Sequence, residues 1–272
     1  MDENNCCGDA QKTISGCGCS CGFLEYPDQS EVPEPETPST AASREFLSRL
    51  EDYARSLGIV NIGYAPITPA VILADDFKYR NAVVFTLKMD DELIGTPPGE
   101  EAQSLNDRLY DELADLTFRL SDYLRENGYG AVAIHPMSGL LDLTSLAQNA
   151  GIGFKGTNGL LIGPENGPAQ KVSAVLTSIS NLPQKASEHS WIPEYCSRCG
   201  KCIKACPEDA LVEVDTCCGS TVLLLEDRCL GCSEGCTYCI ESCPFYSKGY
   251  ETVRSKFMKL RQKLEERTND KA

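Results

Sequence analysis

Two runs of cysteine between residues 196 and 243 constrain this chain more than any other feature. The first reads Tyr195-Cys-Ser-Arg-Cys-Gly-Lys-Cys-Ile-Lys-Ala-Cys-Pro207. The second reads Asp227-Arg-Cys-Leu-Gly-Cys-Ser-Glu-Gly-Cys-Thr-Tyr-Cys-Ile-Glu-Ser-Cys-Pro244. Two-residue spacers let a single turn of backbone aim successive thiolates at one centre, and the closing proline turns the chain away from that loop. In such a spacing three thiolates grip one iron–sulfur cube and the fourth crosses to another.

The first run has the spacing of bacterial two-cluster ferredoxins. The second ends in the same way, with Cys236, Cys239, Cys243 and Pro244. Pseudo-twofold logic then assigns Cys196, Cys199, Cys202 and Cys243 to one [4Fe-4S] cluster. Cys206, Cys236 and Cys239 fall to the other, with Cys229 or Cys232 as its fourth ligand. Zinc is the competing soft metal, but its structural sites close with four ligands and often use histidine, and neither run contains one. A disulfide framework belongs to small secreted chains.

At 272 residues the chain is long enough for one large and one small domain. Clustered cysteines without an apolar leader after Met1 point to a reducing cytoplasm. No stretch approaches the roughly 18–20 apolar residues of a membrane span, so no membrane partner is expected. The formal charge is −15. Residues 1–40 hold eight acids against Lys12, which puts −7 there and −8 elsewhere. Phosphate backbones bind through Lys and Arg that displace counterions, so nucleic acid is not an expected partner. A redox partner protein of ferredoxin or flavoprotein type is, and the acidic surface is expected to steer docking onto a basic patch of that partner. Oligomeric state is not legible.

Residues 1–40, rich in Pro and acids and poor in apolar side chains, read as a disordered tail. It carries Cys6, Cys7, Cys17, Cys19 and Cys21, thiols suited to a soft metal or to exchange. A helix capped by Ser43 follows, with Phe46, Leu47, Leu50, Tyr53, Ala54 and Leu57 at helical spacing and Gly58 as its stop. Ile59–Tyr64 and Ala82–Leu87 read as strands. The stripe Ala102, Leu105, Leu109, Leu113, Leu116, Leu120, Leu124 is the clearest helix, stopped by Asn127-Gly128. Gly130–Ile134, Leu160–Ile162, Lys171–Ile179 and Val222–Leu225 read as further strands. A C-terminal helix over 248–272 places Val253, Phe257, Leu260 and Leu264 on one face, with a basic polar face. His135, before Pro136 at a strand end, is expected on the surface or hydrogen-bonded rather than facing a pocket, and Cys217 and Cys218 are expected not to bind metal. Nothing forms a Ser–His–Asp or Cys–His unit, so no catalytic residue is assigned.

The remaining informative stretch is Ala150-Gly-Ile-Gly-Phe-Lys-Gly-Thr-Asn-Gly-Leu-Leu-Ile-Gly-Pro-Glu-Asn-Gly-Pro168. Its glycines, Gly151, Gly153, Gly156 and Gly159, imply positive φ or close approach to something bulky. No helix opens directly after them, against a phosphate loop.

With the cysteine runs behind it, this segment resembles the epoxyqueuosine reductase-related iron–sulfur proteins, whose architecture the reductive dehalogenases share. The resemblance covers roughly Ser43 to Tyr246. It implies an α+β protein: a nitroreductase-like α/β domain over 41–188, then a two-[4Fe-4S] ferredoxin-like domain over 189–247. It also implies a place for a base-off corrinoid (cobalamin) beside the clusters, with Gly151, Gly153, Phe154, Gly156 and Asn158 as its floor. It favours Cys229 over Cys232, because the family's lone cysteine follows an acidic–basic pair as Cys229 follows Asp227-Arg228. Departures are Phe154 for Trp, Thr157 for Lys, Asn166 for Tyr and Ala169 for Arg. The proton-donating Asp of the tRNA-modifying enzymes falls at about Met137 and the following Glu-Arg pair at Leu143-Thr144, with Asp142 out of register. The expectation is thus a cytoplasmic two-cluster protein passing low-potential electrons to or from a partner or bound cofactor. The alternatives are a corrinoid-dependent reductase and a metal-handling or sensing role for the N-terminal thiols.

Overall fold

The computed structural model describes residues 26–74, 77–216, 219–231 and 233–269. Cys6, Cys7, Cys17, Cys19, Cys21, Cys217, Cys218 and Cys232 lie outside them. Helix α1 (Arg44–Ser56) starts where the Ser43 hydroxyl accepts the Phe46 N–H and stops at Gly58, whose φ is +86°. Strands β1 (Asn61–Pro66) and β2 (Asn81–Lys88) follow, then the short α2 (Asp91–Gly95) and the 27-residue α3 (Glu100–Glu126). Strand β3 (Ala131–Ile134), helix α4 (Leu143–Asn149), the two-residue strands β4 (Phe154–Lys155) and β5 (Leu161–Ile162), and β6 (Gln170–Thr177) complete the first unit.

The main sheet runs β1-β2-β6-β3, every neighbour antiparallel. Its central strands are buried on both faces, so they read as apolar runs rather than alternation. Val83, Phe85 and Val175 pack against α1 and α3, while Ala82, Val84, Ala174 and Leu176 pack against α4 and Leu141. The period-2 side-chain direction of a strand thus builds two cores from one sheet.

The cysteine-bearing unit is shorter and irregular: α5 (Ile192–Cys199), α6 (Lys201–Ala205), the hairpin β7–β8 (Leu211–Thr216, Gly219–Leu224), α7 (Tyr238–Glu241) and α8 (Pro244–Ser247). Its core is an aromatic cluster of Trp191, Tyr195, Phe245, Tyr250 and Phe257, the last two from α9 (Tyr250–Asn269). Two glycines lock it to the first unit. A Cβ on Gly235 (φ +63°) would lie 2.4 Å from the Ala102 carbonyl, and one on Gly167 (φ +55°) 2.7 Å from that of Phe245. Around the Gly235 contact, the Gly99 N–H donates to Glu234 O (2.9 Å) and the Thr237 hydroxyl to Ile94 O (3.1 Å).

Two expectations need correction. Residues 26–40 are not a loose tail: Asp122 accepts the N–H groups of Glu31 and Val32, and Arg125 holds Asp28 and Val32 O. Glu34 takes Lys78 and Tyr79, and Ser39 bridges to Tyr129. On α9 only Val253 and Phe257 of the expected apolar face are buried; Leu260 and Leu264 are 52% and 42% exposed. His189 is buried, its Nδ1 2.7 Å from the Tyr250 hydroxyl, whereas His135 is half-buried and stacks on Tyr26 at 3.8 Å.

Candidate iron–sulfur centre and adjoining cavity

Among the described residues eight cysteines are present, and the neighbours of several of them point to two sets. Burial pushes the Cys243 thiol up to about 12, and Cys196 and Cys202 add to the shift. Burial likewise takes Cys202 to about 11, with Cys196 and Cys199 adding. Cys236 is raised by burial and then by Cys229, Cys206 and Glu234. Cys202 and Cys243 thus lie near Cys196, and Cys236 near Cys206 and Cys229. Among the described residues no three His, Cys, Asp or Glu close around a single ion.

Local structure aims the thiols. Gly200 (φ +59°) breaks α5 from α6, so Cys199 and Cys202 can turn toward one point. Backbone N–H groups reach the sulfurs: Ala210 donates to Cys206 Sγ (3.3 Å), Tyr238 to Cys236, and Phe245 and Tyr246 to Cys243. Such bonds stabilise thiolate charge and are one lever on cluster potential. Thr157 donates both its N–H and its hydroxyl to Cys196. Tyr195 hydrogen-bonds Cys199, and its own pKa rises to about 12 through burial and then the neighbouring thiols.

A cavity of about 1270 Å³ adjoins the second set. Cys206, Cys229, Cys236 and Cys239 lie in its wall together with Met137, Asp142, Lys155, Asn158 and Gln170 from the first unit. Leu211 and Leu224 of the hairpin and Tyr26 also line it. Asp142 is 7% exposed: it caps α4 by accepting the Ser145 N–H (3.0 Å) and hydroxyl (2.6 Å), and Lys155 Nζ sits 3.0 Å away. The buried Gln170 Oε1 has no hydrogen-bond partner.

Of the five residues expected to floor a cofactor, only Asn158 lines this cavity. Gly153 and Gly156 serve chain packing, since a Cβ would meet Ile162 O at 2.6 Å or Ile162 Cδ1 at 2.7 Å. Gly151 (φ +74°) turns under Lys185 and takes a hydrogen bond from His189, and Phe154 packs on the Trp191 cluster. Sequence reasoning missed Thr157, Lys155 and the hairpin strand β7, because nothing local in their sequence marks the partners they meet.

Known proteins are similar to this chain in sequence and in fold. The 4Fe-4S binding domain family matches residues 189–212. Tetrachloroethene reductive dehalogenase of Dehalobacter restrictus is 31% identical over 154 residues, covering 57% of this chain and 27% of that protein. Epoxyqueuosine reductase of Listeria monocytogenes is 35% identical over 75 residues, covering 28% and 18%. The chain's matches therefore span less than a third of either relative. The structure of the catabolic reductive dehalogenase NpRdhA superposes with a TM-score of 0.68 at 18% identity, over 84% of this chain and 36% of that one. The mixed α/β architecture with its ferredoxin-like motif is shared, and no helix among the described residues is long and apolar enough to cross a membrane.

Proposed function

We propose that this chain, a homologue of the reductive dehalogenases and epoxyqueuosine reductases, is an iron–sulfur reductase with two [4Fe-4S] clusters that serves a corrinoid in the cavity beside Cys206, Cys229, Cys236 and Cys239. The observation that carries the reading is that Cys206, Cys229, Cys236 and Cys239 all line one cavity. The cavity exceeds the roughly 300–1,000 Å³ of drug-sized pockets, as a corrin ring would need, though part of it is the second cluster's own space. Its wall mixes apolar side chains with Asn158, Asn106 and the unpartnered Gln170 Oε1, groups able to pair with the amide arms of a corrinoid. When bound, a corrinoid supplies a cobalt centre that exchanges electrons with a substrate. This chain's residues hold the thiolates, line the cavity with Leu211 and Leu224, and set Lys155 against Asp142. On this reading the sheet unit is nitroreductase-like, Cys229 is the fourth ligand of the second cluster, and the clustered cysteines suit a reducing cytoplasm.

One feature favours a second reading, a carrier that passes electrons without a corrinoid. Met137 stands where the resemblance expects the proton-donating acid, and Asp142 is engaged by Ser145 and Lys155. Metal analysis and a visible spectrum of anaerobically reconstituted protein decide. About eight irons with one cobalt and corrinoid bands support the first reading; about eight irons with no cobalt uptake support the second. About four irons or fewer, or zinc in their place, refutes both.

A further inference from the structure

We infer that the rim of the first thiol set, Arg198, Lys201 and Lys204 with Arg261 beside them, is the docking surface for a small acidic electron-carrier protein of the ferredoxin class. This rests on the two-cluster reading above and adds where the carrier lands and what charge it bears. The chain is strongly acidic overall, yet its charge is segregated. Residues 192–205 and 248–266 carry nine Lys and Arg against four Asp and Glu, which leaves sixteen against thirty-six for everything else. Residues 206–241, which surround the second thiol set, carry eight acids and only Arg228. The two sets thus sit under fields of opposite sign.

The geometry puts the positive end where an electron can enter. Arg198, Lys201 and Lys204 are exposed and flank the half-buried Cys199 and Cys202 in sequence. Glu194 pairs with Arg198 (2.9 Å) and reaches Arg261 of α9 (3.9 Å), which also meets Glu265 (3.1 Å), while among the described residues no salt bridge holds Lys201 or Lys204. The shared Glu194 contact, with Phe257 packed on Tyr195, lays the basic helix α9 along α5. Lys256, Lys259 and Lys263 are exposed on α9, and their field extends over a Debye length of about 8 Å at physiological salt. An acidic carrier approaching at random is repelled from the rim of the second set and drawn to that of the first. The sign is the reverse of the one the net charge suggests.

The step balances as a single-electron exchange: the carrier's reduced centre loses one electron, the cluster on Cys196, Cys199, Cys202 and Cys243 gains it, and no bond or proton moves. The test uses the anaerobic, iron-loaded full chain and an acidic two-iron ferredoxin. Its binding is read by interferometry and its oxidation by stopped-flow, at low and high salt. The variant Lys201→Glu/Lys204→Glu is expected to weaken binding and slow the second-order rate about tenfold or more at low salt, with the difference closing at high salt. Iron content and reduction by photoreduced deazaflavin should not change. Glu213→Lys, on the hairpin of the acidic end, should leave the rate with ferredoxin as it was. Equal rates for the double variant and the parent overturn the inference. So does an equal loss with Glu213→Lys, or a short single-stranded oligonucleotide that binds this rim as tightly as ferredoxin does. Failure of the parent to hold iron refutes the two-cluster reading instead, and the iron count reports that separately from ferredoxin binding.

Discussion

Replacing Gly235 by alanine tests how the second thiol set is seated. The residue lies between Glu234 and Cys236 with φ +63°, and its Cα faces the start of α3. An alanine there meets two costs. The left-handed conformation costs an L-residue roughly 1–2 kcal/mol. The new Cβ would also sit 2.4 Å from the carbonyl carbon and oxygen of Ala102 and 2.8 Å from Gln103 N, all backbone, so neither partner can swing aside. Forcing a methyl into a packed contact typically costs about 1–3 kcal/mol. The expected destabilisation is therefore about 2–5 kcal/mol. Gly231 is an internal control in the same loop. A Cβ there meets Cys229 Sγ at 3.4 Å and Cys236 O at 3.6 Å, ordinary contacts, and no left-handed φ is required. Gly231→Ala should be neutral or gain up to about 1 kcal/mol by restricting the unfolded chain. Anaerobic denaturant titration measures both, and iron per chain after reconstitution gives the functional readout. Gly235→Ala should lose iron from the second set while Gly231→Ala retains it. A Gly235→Ala protein within about 0.5 kcal/mol of the parent and fully loaded with iron refutes the claim that this close approach positions the set.

Lys155→Met leaves Asp142 buried with only its Ser145 bonds, and breaking such pairs costs about 3–5 kcal/mol, the Ser145 bonds drawing this one to the lower end. Adding Asp142→Asn should restore part of the loss in a double-mutant cycle. Tyr250→Phe removes the hydroxyl that takes the Trp191 Nε1 proton (3.2 Å) and meets His189 Nδ1. Denaturation followed by Trp191 fluorescence should show a loss of about 1–3 kcal/mol. The metal-free chain should also weaken in alkali. Its fold raises Cys202 to about 11 and Cys243 to about 12 from 9.0, so it binds those protons more tightly than the unfolded chain does. That contribution is complete below about pH 9 and is lost as pH rises through 11–12. Iron-loaded protein, its thiols already ionised, should lack this decline; a parallel decline in both forms refutes the assignment.

What the sequence disclosed and what it hid divide along the range of the interactions. The thiol spacing is legible because ligands of one cube must be neighbours along a turn. Helix α3 is legible because its apolar stripe repeats over 27 residues, and Ser43 because capping is local. Residues 26–40 misled because their acids look solvated until Arg125 and Lys78 are brought to them from 97 and 44 positions away. The glycine-rich loop showed that something presses close but not what. The answer is Ile162 and Lys185, with Thr157 reaching Cys196, rather than a ligand under all four glycines. Net charge misled in another way, since one total of −15 averages a basic end with an acidic one.

The glycine seats at 167 and 235 bear on portability. A cysteine-rich segment borrowed from a relative would bring its own thiolates and loops, but it would dock here only if a residue without a side chain stood at the Ala102 seat and Gly167 still cleared the turn at Phe245. Swaps that keep every thiol and lose either clearance would seat those thiols out of register with the first unit and load less iron, a failure no inventory of cysteines would reveal.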